Sequence, residues 1–249
     1  MFPPVLSGSA GQIGPKTGVA AFLGIVMLDT RFPRPVGDIG NPDSFPVPTR
    51  KVMVLGAFPE KVVQTAAGMR ANRIAVGFTG MVRQLERDGA AAITTSCGFL
   101  VLLQKELQGA VKVPVVTSSL LQLPGLLATQ QQVGVLTISA SRLGKEHLRA
   151  AGVPRQRLAD VIVQGVDARS EFATAILGNR AEMDPGKAQA DVVAAAVALK
   201  RRAPALSSVV LECTNMPPYA AQIEEATGMK TWSLLQSKVL LQPFGKTMP

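Results

Sequence analysis

The chain is poor in the residues that build metal sites and nucleic-acid surfaces. Its 249 residues include only two cysteines and one histidine, and the aromatic fraction is 4%. Cys97 and Cys213 lie far apart and lack the C-x-x-C spacing of a zinc site, so we expect no metal. The net charge is +9, but the basic residues are scattered and few aromatic rings are available to stack on bases. We therefore expect no nucleic-acid partner.

The sequence also lacks an apolar run long enough to cross a membrane. The longest run near the N-terminus, Val19 to Leu28, stops at Asp29 and is shorter than the roughly 20 residues that a spanning helix needs. No basic segment of the signal-peptide type precedes it. We expect a cytoplasmic protein with no membrane partner. Residues 1–17, rich in glycine, proline and serine, are predicted to form a mobile arm.

What the chain does have is a regular alternation of short apolar segments and helical patterns. Hydrophobic residues make up 47% of it and charged residues 17%, which suits close-packed α/β layers. Strands that alternate with helices predict parallel sheets with right-handed crossovers. We predict an α/β fold of two pseudo-symmetric lobes with parallel sheets and an active-site cleft between them. Lobe 1 spans residues 18–130, with 228–249 returning to it, and lobe 2 spans residues 131–227.

The two cysteines occur in the same local setting. Each follows a short apolar, β-branched run and precedes a predicted helix start, as Cys97 does in Thr94-Thr95-Ser96-Cys97-Gly98-Phe99. A thiol there points into the crevice at the carboxyl ends of parallel strands, and the helix start favours its thiolate form. Buried packing and a disulfide are the alternatives, but packing does not explain why the setting is duplicated. We predict that Cys97 and Cys213 form an acid–base pair on opposite walls of the cleft.

Two further features have no assigned role at this stage. Residues 31–49 form a long irregular segment with five prolines that leaves the carboxyl end of the first predicted strand. The segment is either a lid over the cleft or a surface loop pinned by its prolines. His147, the single histidine, is predicted to lie on a surface helix far from both cysteine motifs.

The cysteine motifs, including Glu212-Cys213-Thr214-Asn215, and the opening segment Gly24-Ile25-Val26-Met27-Leu28-Asp29-Thr30 resemble the aspartate/glutamate/hydantoin racemase superfamily. The resemblance covers roughly residues 20–235 and is specific to the superfamily rather than to one substrate. It implies chemistry without a cofactor at a carbon next to a carboxylate. One cysteine thiolate removes a proton and the other thiol donates one from the opposite face. The resemblance further suggests a small-molecule carboxylate substrate and a homo-oligomer.

Ten residues near the cysteines are predicted to bind the substrate. Backbone N–H groups after each cysteine can hold its carboxylate and the charge that develops on deprotonation. Hydroxyl groups at strand ends can add donors, although helix capping explains them equally well. The resemblance gives the acidic residue after the first strand a role with the substrate amine or a thiol, unless it is structural. The predicted set is Asp29, Ser96, Gly98, Phe99, Thr117, Ser118, Thr137, Glu212, Thr214 and Asn215.

Four functions stay open. The leading one is a racemase or epimerase of an amino acid or a related carboxylate. The algal dimethylsulfoniopropionate lyases resemble the same superfamily and offer a carbon–sulfur lyase, in which a cysteine base begins a β-elimination. A cationic sulfonium substrate predicts acidic or aromatic residues in the pocket. The remaining alternatives are a maleate-type cis–trans isomerase with a nucleophilic cysteine and a binding protein that has lost turnover.

Overall fold

Two parallel sheets form the framework of the protein. The computed structural model describes residues 21–71 and 74–245, so the predicted arm 1–17 lies outside the described residues. The described strands are β1 Phe22–Leu28, β2 Thr49–Val54, β3 Ala90–Thr95, β4 Val115–Val116, β5 Val133–Thr137, β6 Val161–Gly165, β7 Ser208–Leu211 and β8 Lys230–Trp232. The first sheet has the order β2-β1-β3-β4 and the second the order β6-β5-β7-β8.

The two sheets repeat one pattern of strand order. In each half the first strand pairs with the second on one side and with the third on the other, and every pairing is parallel. β1 and β5 are buried along their whole length because helices and loops cover both faces of the sheets, as parallel sheets require. The predicted α/β fold with two similar parallel sheets is confirmed.

Helices of modest length connect the strands. The described α-helices are α1 Pro59–Val62, α2 Ala66–Ala71, α3 Ala75–Arg87, α4 Gln104–Gly109, α5 Leu123–Thr129, α6 Lys145–Ala150, α7 Glu171–Leu177, α8 Pro185–Arg202, α9 Ala220–Thr227 and α10 Lys238–Leu241. Short 3-10 helices add Pro42–Ser44, Gly98–Leu103, Ser119–Gln122, Arg155–Asp160, Pro217–Tyr219, Leu234–Gln236 and Gln242–Phe244. Within residues 21–71 and 74–245, no helix has the length and apolar character needed to span a bilayer.

The core is shared by both halves. One cluster of buried side chains runs from Phe22 of β1 to Met229 before β8 and includes both cysteines. A second, smaller cluster packs Leu23 and Ile25 of β1 against residues after Ser233. β8 pairs with β7 in the second sheet, and the chain reaches the first sheet only from Leu234 onward.

The segment before β2 and the helix that carries His147 both lie against the interior. Ile39 of the segment is fully buried, and its N–H donates to the Thr214 carbonyl across the molecule. The prediction that His147 lies on a surface helix far from both motifs is wrong. Its side chain is buried and its ring packs edge-on against Phe99, with ring centroids 5.0 Å apart. The prediction did not identify which face of α6 is buried. His147 and Leu148 lie on the face that packs against the 3-10 helix Gly98–Leu103.

Candidate active site

A cavity lies where the carboxyl ends of the two sheets meet, and both cysteines line it. Its free volume is about 20 Å³, which is room for a water molecule but not for a substrate. Eight of the twelve predicted site residues contribute to its wall, namely Ser96, Cys97, Gly98, Phe99, Glu212, Cys213, Thr214 and Asn215. The structure thus brings the two cysteine motifs together although they lie in different halves of the chain.

The repeated strand order explains why the thiols meet. Cys97 comes two residues after β3 and Cys213 two residues after β7, and these are the third strands of their sheets. Hydrogen bonds fix one motif on the other, because the Thr214 hydroxyl donates to the Ser96 carbonyl at 2.7 Å. The Ser96 hydroxyl in turn accepts from the Leu28 N–H at 2.8 Å. The junction between the sheets is therefore also the floor of the cavity.

Glu212 contributes a buried carboxyl group to the same cavity wall as the two thiols, and its charge acts on both of them. Its Oε2 accepts from the Thr137 hydroxyl at 2.7 Å, whereas Oε1 has no hydrogen-bond partner among the described residues. Burial raises the pKa of Glu212 to about 8, against the opposing effect of the Thr137 hydrogen bond. At neutral pH this group is mostly an uncharged carboxylic acid that can donate as well as accept. Thr137, one of the predicted binding residues, contacts Glu212 and is not among the residues that line the cavity.

Gly98 is required because Glu212 lies directly over its Cα. A Cβ at position 98 would overlap the backbone carbonyl oxygen and Oε1 of Glu212. We expect Gly98→Ala to lower the free energy of unfolding by about 1–3 kcal/mol, since a backbone carbonyl cannot easily give way. Gly80→Ala is the matched control, because Gly80 is an exposed residue of α3 and nothing lies within 4 Å of a Cβ built there. It should stabilise the protein by about 0.5–1 kcal/mol. Urea unfolding measures both, and equal effects would contradict the overlap.

The thiols are not activated in the way the sequence predicts. Burial raises the pKa of Cys97, and the charge of Glu212 raises it further, against the N–H groups of Phe99 and Leu100. Burial likewise raises the pKa of Cys213 well above its usual range, and Glu212 adds to this effect. The N–H groups after each cysteine lower the thiol pKa as expected, but burial outweighs them and the net shift is upward. The helix after Cys97 starts as a 3-10 helix, Gly98–Leu103, and its few N–H groups do not offset complete burial.

Three predicted binding residues lie behind the cavity wall and have structural partners. Asp29 Oδ2 accepts from the Gly56 N–H at 2.9 Å. The Thr117 hydroxyl donates to Gln104 Oε1 at 2.7 Å. The Ser118 hydroxyl caps the 3-10 helix Ser119–Gln122 by accepting from the Leu120 N–H. None of the three lines the cavity as the structure describes it.

Residues without a sequence signal complete the cavity. Its apolar wall consists of Leu28, Phe32, Pro59, Val63, Ile138 and Ile176. Phe32 belongs to the irregular segment after β1, while Pro59 is the first residue of the short helix α1 and Val63 follows its last. Asp38, from the same segment, is 1% exposed and reaches Asn215 with its carboxylate. Leu28 ends β1 and Ile176 lies on α7, but no apolar period marks either of them as a cavity residue. Phe32, Asp38 and Ile138 lie on irregular segments that the tertiary fold brings to the cysteines.

The repeated sheets and the two thiols at their shared edge define a two-lobed α/β protein with a paired-cysteine site. The chain belongs to the Asp/Glu/Hydantoin racemase family, whose model matches residues 58–236. The structure is similar to that of allantoin racemase from Pseudomonas fluorescens, with a TM-score of 0.58, 18% identity, and coverage of 92% of this chain and 93% of the other. It is also similar to that of the aspartate racemase of Picrophilus torridus, with a TM-score of 0.53, 14% identity, and coverage of 92% of this chain and 96% of the other.

The similar proteins identified by sequence are lyases. A dimethylsulfoniopropionate lyase of Durusdinium sp. clade D is 29% identical over 224 residues, which cover 87% of this chain and 72% of the lyase. Dimethylsulfoniopropionate lyase 3 of Emiliania huxleyi is 27% identical over 222 residues, covering 82% of this chain. The chain spans only 55% of the length of that second relative.

Proposed function

We propose that this chain is a cofactor-independent racemase or epimerase of an amino acid or a related small carboxylate, with Cys97 and Cys213 as its acid–base pair. The observation that carries the proposal is the single cavity walled by both thiols, one from each sheet. One thiolate takes the proton from the carbon next to the carboxylate, and the other thiol supplies a proton to the opposite face. The substrate is inverted, and the pair keeps the same number of protons. A homo-oligomer and a cytoplasmic location remain predictions from the sequence.

The wall of the cavity limits the substrate. No lysine or arginine is among the described residues that line it. Its polar groups are mainly those of the two cysteine motifs, so the site suits a compound with one carboxylate better than one with two. The N–H groups of Gly98 and Thr214, the residues that directly follow the two cysteines on the cavity wall, are the candidate donors to the carboxylate. A substrate can enter only if residues of the wall move, because the free volume is about 20 Å³.

A carbon–sulfur lyase of the dimethylsulfoniopropionate type is the second candidate. Two observations favour it, namely the lyases among the similar sequences and the aromatic lining formed by Phe32 and Phe99. Such a lining suits a sulfonium cation. In this reaction a thiolate takes the proton next to the carboxylate and the β carbon–sulfur bond breaks. Dimethyl sulfide leaves with the bonding electron pair, and acrylate remains.

The nature of the product separates the candidates. Amino acids, hydantoins, small dicarboxylates including maleate, and dimethylsulfoniopropionate are incubated with the protein in deuterated buffer and followed by proton NMR. We expect loss of the Cα proton signal with inversion for one compound class. Acrylate and dimethyl sulfide in place of the inverted product would establish the lyase, and fumarate from maleate the isomerase. If a compound binds and none reacts, the enzymatic proposal is wrong.

A further inference from the structure

The segment between β1 and β2 carries a buried carboxylate that the proposed reaction does not use. Oδ1 of Asp38 accepts from Arg34 Nη1 at 2.6 Å and from the Gly40 N–H at 2.7 Å. Both donors belong to the same segment. Oδ2 accepts instead from Nδ2 of Asn215 at 2.6 Å, far away in the sequence. The carboxylate therefore ties the segment to the motif that contains Cys213.

Asn215 passes this contact to the thiol. Because its Nδ2 donates to Asp38, its Oδ1 faces Cys213, and the Cys213 Sγ donates to that oxygen at 3.6 Å. In the flipped amide, Oδ1 would face the Asp38 carboxylate, so that two acceptors would meet without a proton between them. The carboxylate therefore decides which end of Asn215 meets the thiol. The end that meets it is a hydrogen-bond acceptor.

The other thiol has a different environment. No described side chain accepts a hydrogen bond from Cys97, whereas Asn215 Oδ1 accepts one from Cys213. A backbone N–H two positions further on favours the thiolate at both cysteines, that of Phe99 at Cys97 and that of Asn215 at Cys213. An acceptor beside a thiol stabilises its S–H form, whereas N–H donors stabilise its thiolate. The two cysteines share one cavity and a similar degree of burial, so the side-chain acceptor at Cys213 is what distinguishes them.

We propose that Arg34, Asp38 and Asn215 form a positioning relay that keeps the proton on Cys213. Cys213 is then the proton-donating thiol of the resting protein, and Cys97 is the thiol that becomes the base. This assignment of roles rests on the proposed function, whereas the relay itself does not. The titratable groups that face Cys213 are Glu212, Cys97, Asp38 and Tyr219. Arg34 pairs with Asp38, and the relay is the only contact among the described residues through which a side chain accepts from Cys213.

Alkylation by iodoacetamide tests the relay, because the thiolate is the form of cysteine that reacts. The whole chain is alkylated at several pH values from about pH 6 to about pH 10, and mass spectrometry gives the rate at each cysteine. We expect Cys97 to react before Cys213 in the wild type. In Asp38→Asn, the amide oxygen at position 38 accepts from Arg34 and Gly40, so the amide NH₂ at position 38 faces Asn215. Asn215 must then present its Oδ1 to that NH₂. Its Nδ2 therefore turns toward the Cys213 sulfur. Cys213 should then react about tenfold faster at a given pH, with Cys97 changed less than about twofold, as a pKa lowered by one unit predicts.

Ser44→Ala is the matched control, because it loosens the same segment without touching the carboxylate. The Ser44 hydroxyl donates to the Asp38 carbonyl at 2.7 Å and accepts from the Gly37 N–H at 2.8 Å. The Ser44→Ala variant should leave the ratio of the two alkylation rates unchanged. Asn215→Ala removes the acceptor itself and should reproduce the effect of Asp38→Asn, which covers the case that Asp38→Asn does not fold.

Either of two results would overturn the relay. One is an unchanged Cys213 rate in both Asp38→Asn and Asn215→Ala. The other is a parallel rise at both cysteines, which would mean that the segment only controls access to the cavity. Because alkylation needs no substrate, a failed relay leaves the proposed function standing. Conversely, the two alkylation rates could differ as expected while no compound exchanges its proton. That result would refute the proposed function and not the relay.

Discussion

Replacement of either cysteine by serine is expected to reduce inversion of the substrate by at least about a thousandfold. A positioned general acid or base contributes on the order of 10²–10⁴ to a rate, and a serine hydroxyl neither forms an anion as readily as a thiol nor reaches as far. Both thiols wall the same cavity, so each variant removes one of the two proton carriers. Rates of inversion and of Cα-proton exchange are measured separately by NMR on the compound class that reacts.

The pattern of losses distinguishes a racemase from a lyase. A two-thiol racemase loses inversion in both Cys97→Ser and Cys213→Ser, yet each variant keeps a base able to exchange the proton of one enantiomer. A lyase needs a single base, so the two variants should differ by at least about tenfold. Thr117→Val is the control, since Thr117 donates to Gln104 outside the cavity. It should keep activity within about threefold while losing roughly 1 kcal/mol of stability.

The sequence contains enough local information to predict the framework of the site. The apolar, β-branched runs before Cys97 and Cys213 specify buried strands, and their duplication indicates two equivalent sheets. Parallel strands place their carboxyl ends on one edge, so the two motifs, including Gly98 and Glu212, could be predicted to meet. Eight residues of these motifs line the cavity, and their place at the sheet edge follows from strand order alone.

Other parts of the site depend on tertiary packing that no local pattern encodes. Asp38 lies among prolines and glycines, and its partner Asn215 comes from the opposite sheet. Asp29 follows β1 as predicted, but a turn that presents the Gly56 N–H captures its carboxylate. The direction of the thiol pKa shifts also depends on burial depth, which outweighs the nearby N–H donors. Local sequence indicates these donors but does not show how completely the fold covers the sulfurs.

The same burial makes Glu212 a source of instability that a single substitution should relieve. Its pKa is raised from an ordinary 4.5 to about 8 in the folded protein. Between these values the folded state holds a proton that the unfolded state has released, so stability falls as the pH rises from about 4.5 to about 8. Glu212→Gln keeps an acceptor for Thr137 and carries no charge. We expect it to raise the free energy of unfolding by about 3 kcal/mol at pH 7, and by less than about 1 kcal/mol at pH 5.

Glu224→Gln provides a control of opposite sign. Hydrogen bonds from the side chain and N–H of Thr231 hold the pKa of Glu224 below its usual range. Its contribution is present above the pKa of the unfolded chain and is lost as the pH falls through the folded value, so Glu224→Gln should destabilise the protein at pH 7 and less so in acid. Urea unfolding from about pH 4 to about pH 9 measures both variants. A stability gain in Glu212→Gln that does not grow with pH would mean that its carboxyl group is ionised in the fold. The cavity wall would then hold a negative charge at neutral pH, and a sulfonium cation rather than an uncharged group would be its natural complement.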